Sequence, residues 1–170
     1  LFDQIRPWLA SPAAEVGAGT GTFTQMMSDL GLTVTAIDCN PQYLKVIQKN
    51  YSGISTLKMN LEKPLPPALR NKFSSVVALN VIEHIAGDSQ ALANIFAMLK
   101  PSGRLIILVP SHMWAYGALD KNLGHVRRYS SKSLVRSLQS AGFTVAHIRH
   151  LNIPGLWGWW LNGVVFRRSI

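Results

Sequence analysis

The chain is 170 residues long, 48% hydrophobic and 15% charged, with 17 Lys and Arg against 8 Asp and Glu and a formal net charge of +9. That length and balance fit one domain with a sizeable core and exclude a disordered chain. A single cysteine, Cys39, excludes an intrachain disulfide and a cysteine-rich zinc site, and the sequence names no metal ligands. The positive surplus favours an anionic partner (nucleic acid, an acidic membrane surface or a phosphorylated substrate) or serves solubility alone. Leu1 is not an initiator Met, so residues 1–170 are expected to form one domain whose N-terminal segment is missing.

In chain order, Phe2 to Ala10 reads as the end of a helix bent at Pro7, and Ser11-Pro12 breaks it. Ala13 to Val16 is a short apolar strand. It enters the turn Gly17-Ala18-Gly19-Thr20-Gly21, and a helix follows from Thr22 to Leu30, stopped by Gly31. Strand, tight turn and helix N-terminus together form a seat for a nucleotide-like ligand. Thr33 to Ile37 is a β-branched second strand ending at Asp38, about 20 residues past the first glycine, where an acid accepts hydrogen bonds from ribose hydroxyls. Pro41 opens a helix carrying Tyr43, Leu44 and Ile47 on one face. Gly53 to Met59 is strand three, ending at Asn60, and Phe73 to Leu79 is strand four, leading into Asn80-Val81-Ile82-Glu83-His84.

Asp88 to Leu99 is an amphipathic helix stopped by Lys100-Pro101-Ser102-Gly103, and Arg104 to Val109 is a strand apolar on both faces. From 110 to 130 the periodicity disappears. This loop follows strand five on the ligand side and holds His112, Trp114, Tyr116, Asp120, His125, Arg127, Arg128 and Tyr129. Ser131 to Ala141 is a further helix with Ser130 or Ser131 as N-cap, and Phe143 to Leu151 reads as a sixth strand. Residues 152–170 carry Trp157, Trp159, Trp160 and Phe166, closed by Arg167-Arg168. That pattern suits a membrane interface, a wall of the substrate pocket, a contact with another domain, or a core element cut short.

The glycine spacing G-x-G-x-G differs from the dinucleotide fingerprint G-x-G-x-x-G. Glu15 beside the turn is unsuited to a pyrophosphate and suits a ligand with an ammonium group, such as S-adenosylmethionine. The run Glu15-x-Gly17-x-Gly19-x-Gly21 resembles motif I of the class I SAM-dependent methyltransferases. Asn80-x-x-Glu83-His84 resembles the segment after their fourth strand. The phrase LKPSGRLIILVP resembles their L-K-P-G-G segment, and Gly124-His125-x-Arg127-Arg128-Tyr129 a segment of one methyltransferase subgroup.

The resemblance implies a Rossmann-like αβα sandwich, a mostly parallel twisted sheet with an antiparallel edge strand. It implies methyl transfer from S-adenosylmethionine, leaving S-adenosylhomocysteine. By motif match, Glu15, Gly17, Gly19 and Gly21 hold the methionine part, with Ala18 beside them. Asp38 holds the ribose, with Cys39 next to it; Asn60 and Leu61 hold the adenine, and Asn80 lies on the sulfonium side. His84 and His125 are the candidate bases for an acceptor that must lose a proton. Tyr116, Arg127, Arg128 and Tyr129 are the expected substrate contacts.

A small-molecule, sugar or lipid-linked acceptor fits the aromatic, basic loop better than nucleic acid, since no D/N-P-P-Y/F run is present; RNA stays open on charge alone. A cytoplasmic location is expected, with peripheral membrane contact through Trp157 to Arg168. Two other classes stand beside this reading: an NAD(P)-dependent oxidoreductase, and a non-catalytic SAM-binding or scaffold domain.

Overall fold

The structure is a computed structural model and describes residues 1–151 and 153–165. Five strands form one sheet: β1 (Ala13–Val16), β2 (Val34–Asp38), β3 (Ser55–Lys58), β4 (Phe73–Leu79) and β5 (Leu99–Leu108), in the order β3-β2-β1-β4-β5. Every pairing is parallel; Ala13 aligns with Val34 on one side and with Ser75 on the other. All four β1 residues are buried, which explains a strand that is apolar apart from Glu15.

The period-two alternation assigns each strand residue to one of two helical layers. Ala13, Val34 and Val77 pack with Ile5 of α1 (Phe2–Ile5) and Met27 of α2 (Thr22–Asp29). Ala36, on the same face, packs against Leu44 and Ile47 of α3 (Pro41–Asn50). The opposite face, with Ala14, Val16, Val76 and Ala78, meets Leu92 and Ile95 of α4 (Asp88–Met98) and Leu138 of α6 (Ser131–Ser140). Along the chain the short α5 (Ala118–Asn122) comes between β5 and α6, and α7 (Ile153–Trp160) follows α6.

Local signals act as their chemistry requires. Asn40 caps α3 by accepting from Gln42 N at 2.9 Å, with Pro41 in the first turn. Ser130 caps α6 through Ser133 N at 3.0 Å. The first segment is α1 followed by a 3₁₀ turn at Arg6–Trp8, where Pro7 sits.

Three expectations are corrected. First, residues 143–150 form no strand, so the sheet has five strands rather than six, and no antiparallel edge strand occurs among the described residues. Phe143 and Val145 do turn inward onto the core while Thr144 and Ala146 face out. A cleft of about 1550 Å³ separates this segment from the outer edge of β5, so its alternation finds no ladder to join. Second, the stretch 110–130 is not irregular: it contains a 3₁₀ turn at Met113–Ala115, α5, and a bridge from Ser111 to Tyr129. Third, β5 begins at Leu99, and its pairing to β4 slips between Phe73 and Ser75 to absorb Lys100–Gly103.

Among the described residues no helix is long and apolar enough to cross a membrane. Phe166, Arg167 and Arg168, part of the expected membrane contact, lie outside the described residues, and no side-chain placement is described for Trp157.

Candidate functional site

The strand order reverses at β1, whose neighbours β2 and β4 lead to opposite halves of the sheet. Such a reversal opens a crevice beyond the carboxyl ends of the strands. The motifs after β1, β2, β3 and β4 and the 110–130 segment all leave from those ends.

The first half of the site is the glycine turn. Gly17 has φ +67°, and a Cβ there would lie 2.3 Å from Val81 Cγ2, so the turn and the segment after β4 approach too closely for any side chain. Gly19 has φ +52° with open space where a Cβ would be, leaving its backbone accessible to a ligand. Gly19 N donates to Asp38 Oδ2 at 2.9 Å and Asn40 N to Asp38 Oδ1 at 2.8 Å. Ala18 N donates to Ile37 O at 3.1 Å. The acid ending β2 is thereby locked against the turn, each oxygen keeping a lone pair for another donor.

Glu15 is buried in β1 and accepts from the Thr24 hydroxyl of α2. Burial pushes its pKa up to about 7, against the lowering effect of the Thr24 hydrogen bonds. Cys39 is exposed. So is Asn60, whose side-chain oxygen accepts from Glu62 N at 2.8 Å; Leu61 is buried beneath it. Asn80 is exposed with φ +53°, its N–H bonded to Leu108 O at 2.9 Å. A non-glycine residue held at positive φ beside a ligand crevice is a recurring mark of a functional position.

The second half lies between the turn after β4 and the 110–130 segment. The His84 and His125 rings meet edge to face with centroids 4.7 Å apart. His125 Nδ1 lies 2.8 Å from Asp120 Oδ1, and His84 Nδ1 lies 3.3 Å from Gly124 O. Burial, and then the neighbouring His125, hold His84 below the ordinary imidazole range.

Asp120 is fully buried at the start of α5. It also accepts from Arg128 Nε at 2.8 Å, Trp159 Nε1 at 3.0 Å and Gly117 N at 3.0 Å. Burial alone would raise its pKa, but the donors, Arg128 and His125 foremost, bring it below the usual carboxylate range. Glu83, between the histidines and the core, is fully buried, and neither carboxylate oxygen has a hydrogen-bond partner among the described residues. Burial pushes its pKa up to about 7. His84, His125 and Asn80 all line the large cleft, together with Trp159 of α7.

The expected substrate contacts are placed differently from one another. Arg128 is buried, bonds Asp120 and Ser111 O, and lies over the Trp159 ring at 5.1 Å. Arg127 pairs with Asp88 at 2.8 Å and donates to Ala86 O at 2.7 Å. Tyr129 is buried and donates to Asp88 Oδ2 at 2.8 Å, and Tyr116 donates to His125 O at 2.8 Å. These four side chains staple the 110–130 segment to α4 and to itself. Arg128 and Tyr129 still line the cleft from beneath.

In the sequence reading Asp120 stands only as one of the groups on the ligand-side loop and Glu83 only as part of the N-x-x-E-H run, neither with a role of its own. The signal available for Asp120 was an acid five residues before His125 in the same loop; Glu83 had none beyond its place in the N-x-x-E-H run.

The chain matches the model of a methyltransferase domain over residues 14–148. A probable S-adenosylmethionine-dependent methyltransferase of Mycolicibacterium smegmatis is 28% identical over 134 residues, 77% of this chain and 51% of its own length. A mitochondrial ubiquinone biosynthesis O-methyltransferase of Schizosaccharomyces pombe is 30% identical over 111 residues, 63% of this chain and 40% of its own length. The chain thus spans about half the length of these relatives or less. In fold it is similar to the S-adenosylmethionine-dependent methyltransferase of Mesorhizobium loti, with TM-score 0.75 and 15% identity over 91% of this chain and 89% of that one.

Proposed function

Since the chain belongs to the methyltransferase domain family, we propose that it binds S-adenosylmethionine across the ends of β1, β2 and β4 and methylates a hydroxyl oxygen of a small acceptor. On this reading the ammonium of the cofactor faces Glu15, its ribose hydroxyls Asp38, its adenine the Asn60-Leu61 turn, and its sulfonium the Asn80 side. The turn backbone at Gly17, Ala18, Gly19 and Gly21 carries the methionine part, and Cys39 borders the ribose.

The observation that carries the choice of oxygen is the Glu83–His84–His125 cluster, anchored through Asp120 and opening into the cleft beside Asn80. The methyl carbon–sulfur bond breaks with its electron pair left on sulfur, and the carbon–oxygen bond forms. The hydroxyl proton leaves through the cluster. The protein's main work is alignment and exclusion of water, because the sulfonium is already an activated leaving group. The name of the Schizosaccharomyces pombe relative, an O-methyltransferase, supports oxygen over nitrogen as the accepting atom. The apolar run of β5 along the cleft suits an acceptor with a nonpolar body, lipid-linked or aromatic, better than a bare sugar.

Thermal melting tests the cofactor half. S-adenosylhomocysteine at 100 times its Kd should stabilise the chain by about 2.7 kcal/mol, a rise in Tm of roughly 5–10 °C, with none from NADH. Incorporation of labelled methyl from S-adenosylmethionine into phenolic, sugar and amine acceptors tests the other half. His125→Ala should cut turnover at least about 100-fold while the S-adenosylhomocysteine shift persists. Transfer to amines only would overturn the oxygen reading, and binding with no turnover on any class would favour the non-catalytic alternative.

A further inference from the structure

Glu83 poses a problem that the methyl-transfer reading leaves open. A fully buried carboxylate to which no other residue donates is costly, and proteins normally pair such a group with a cation or a hydrogen-bond donor. The positive side chain whose charge acts on it, Arg128, is already committed to Asp120 and Ser111 O. Facing Glu83 instead are two imidazoles. One donor atom from each of Glu83, His84 and His125 lies within 4.8 Å of the other two.

The tautomers are prepared for the same purpose. His125 Nδ1 is held at 2.8 Å by the Asp120 carboxylate, so that nitrogen carries the proton and the lone pair resides on Nε2. The contact of His84 Nδ1 with the Gly124 carbonyl at 3.3 Å assigns it in the same sense. A carboxylate behind an imidazole is the usual outer partner of a metal-bound histidine, fixing the ring and raising its basicity. Asp120 is itself fixed by Arg128, Trp159 and Gly117.

We propose that Glu83, His84 and His125 form a mononuclear site for a divalent transition cation of the Zn²⁺ class, with an open position facing the cleft. Two imidazole nitrogens and one carboxylate suit zinc and its neighbours, whereas magnesium and calcium prefer oxygen alone. Three protein ligands leave a fourth position for an acceptor oxygen, whose hydroxyl a bound cation acidifies. The site's use rests on the oxygen-acceptor reading above; its existence does not. Donors around a zinc ion at about 2.1 Å stand roughly 3–3.5 Å apart, so binding draws the three together by about an ångström.

The test is calorimetric titration of the metal-free full chain with Zn²⁺ alone. The expected result is one equivalent bound with micromolar affinity or better, weakened about tenfold or more in His84→Ala, in His125→Ala and in Glu83→Gln. Thermal melts of each variant report folding independently of any cofactor. If the alanine variants unfold, Glu83→Gln, which preserves shape, carries the test. Co²⁺ in place of zinc should give visible ligand-field bands that the substitutions remove. Saturable binding that is absent in the wild type would leave Glu83 as a protonated core acid and overturn the proposal. One equivalent bound with unchanged affinity in every variant would also overturn it, placing the metal on the stacked His112–His150 pair, whose rings lie 5.3 Å apart. Methyl transfer enters neither readout, so failure of the oxygen-acceptor reading would leave the metal result standing.

Discussion

Glu15 is an acid whose ionisation the fold delays to near neutral pH. Its pKa is raised from 4.5 to about 7, chiefly by burial. Between those values the unfolded chain has released a proton that the folded chain still holds. The resulting penalty is absent below about pH 4.5, grows as pH rises towards 7 and is constant above. In full it amounts to roughly 3–4 kcal/mol, of which about 2–3 kcal/mol falls between pH 5 and pH 8. Urea denaturation at about pH 5 and pH 8 should show that loss, and Glu15→Gln should reduce it. A ligand ammonium set against Glu15 gives binding the opposite slope, because it holds the carboxylate charged. Affinity for S-adenosylhomocysteine should therefore climb as pH rises to about 7 in the wild type and stay flat in Glu15→Gln; a flat wild-type profile would remove Glu15 from the ligand.

At the scale of elements, the glycine turn and the segment after β4 are fitted to each other. Gly17→Ala should cost about 1–2 kcal/mol for the left-handed backbone, with a further steric part from Val81. The double variant with Val81→Ala should recover the steric part alone, as a denaturation cycle would show. The 110–130 segment has its own keystone. Asp120→Ala leaves the Arg128 charge buried without its partner, so stability should fall by about 3–5 kcal/mol, with amide exchange rising first between Ser111 and Tyr129.

Both devices were only half legible in the sequence. The glycine spacing, Asp38 and the strands β1, β2 and β4 could be read because backbone conformation and two-sided burial restrict residue type there. Arg127, Arg128 and Tyr129 have the chemistry of substrate contacts, and nothing in a sequence says whether such groups turn out to a ligand or in to Asp88 and Asp120. Phe143 to Leu151 misled for a related reason: Phe143 and Val145 alternate as a strand does, but a ladder also needs a neighbour within reach, which is a property of the fold.

For the whole molecule, the charge of +9 is a long-range feature. It should draw the chain to anionic vesicles in low salt and release it as screening shortens the Debye length to about 8 Å at physiological ionic strength. The proposed peripheral contact through Trp157 to Arg168 adds a part that salt does not remove. Vesicle sedimentation at both salt levels should show the full chain retained above a chain lacking those residues; equal retention would leave charge alone as the cause.

The reversal of strand order at β1 has a consequence for descent. On the proposed reading, the groups for the cofactor hang mainly from β1, β2 and β3 and those for the acceptor from β4 and the segment after β5, with β1 as the boundary in a sheet ordered β3-β2-β1-β4-β5. Mutations on the acceptor side therefore reach few of the contacts by which the methyl donor is held. A lineage built on this plan can exchange one metabolite for another while keeping its reagent, so shared ancestry here foretells the donor far better than the recipient.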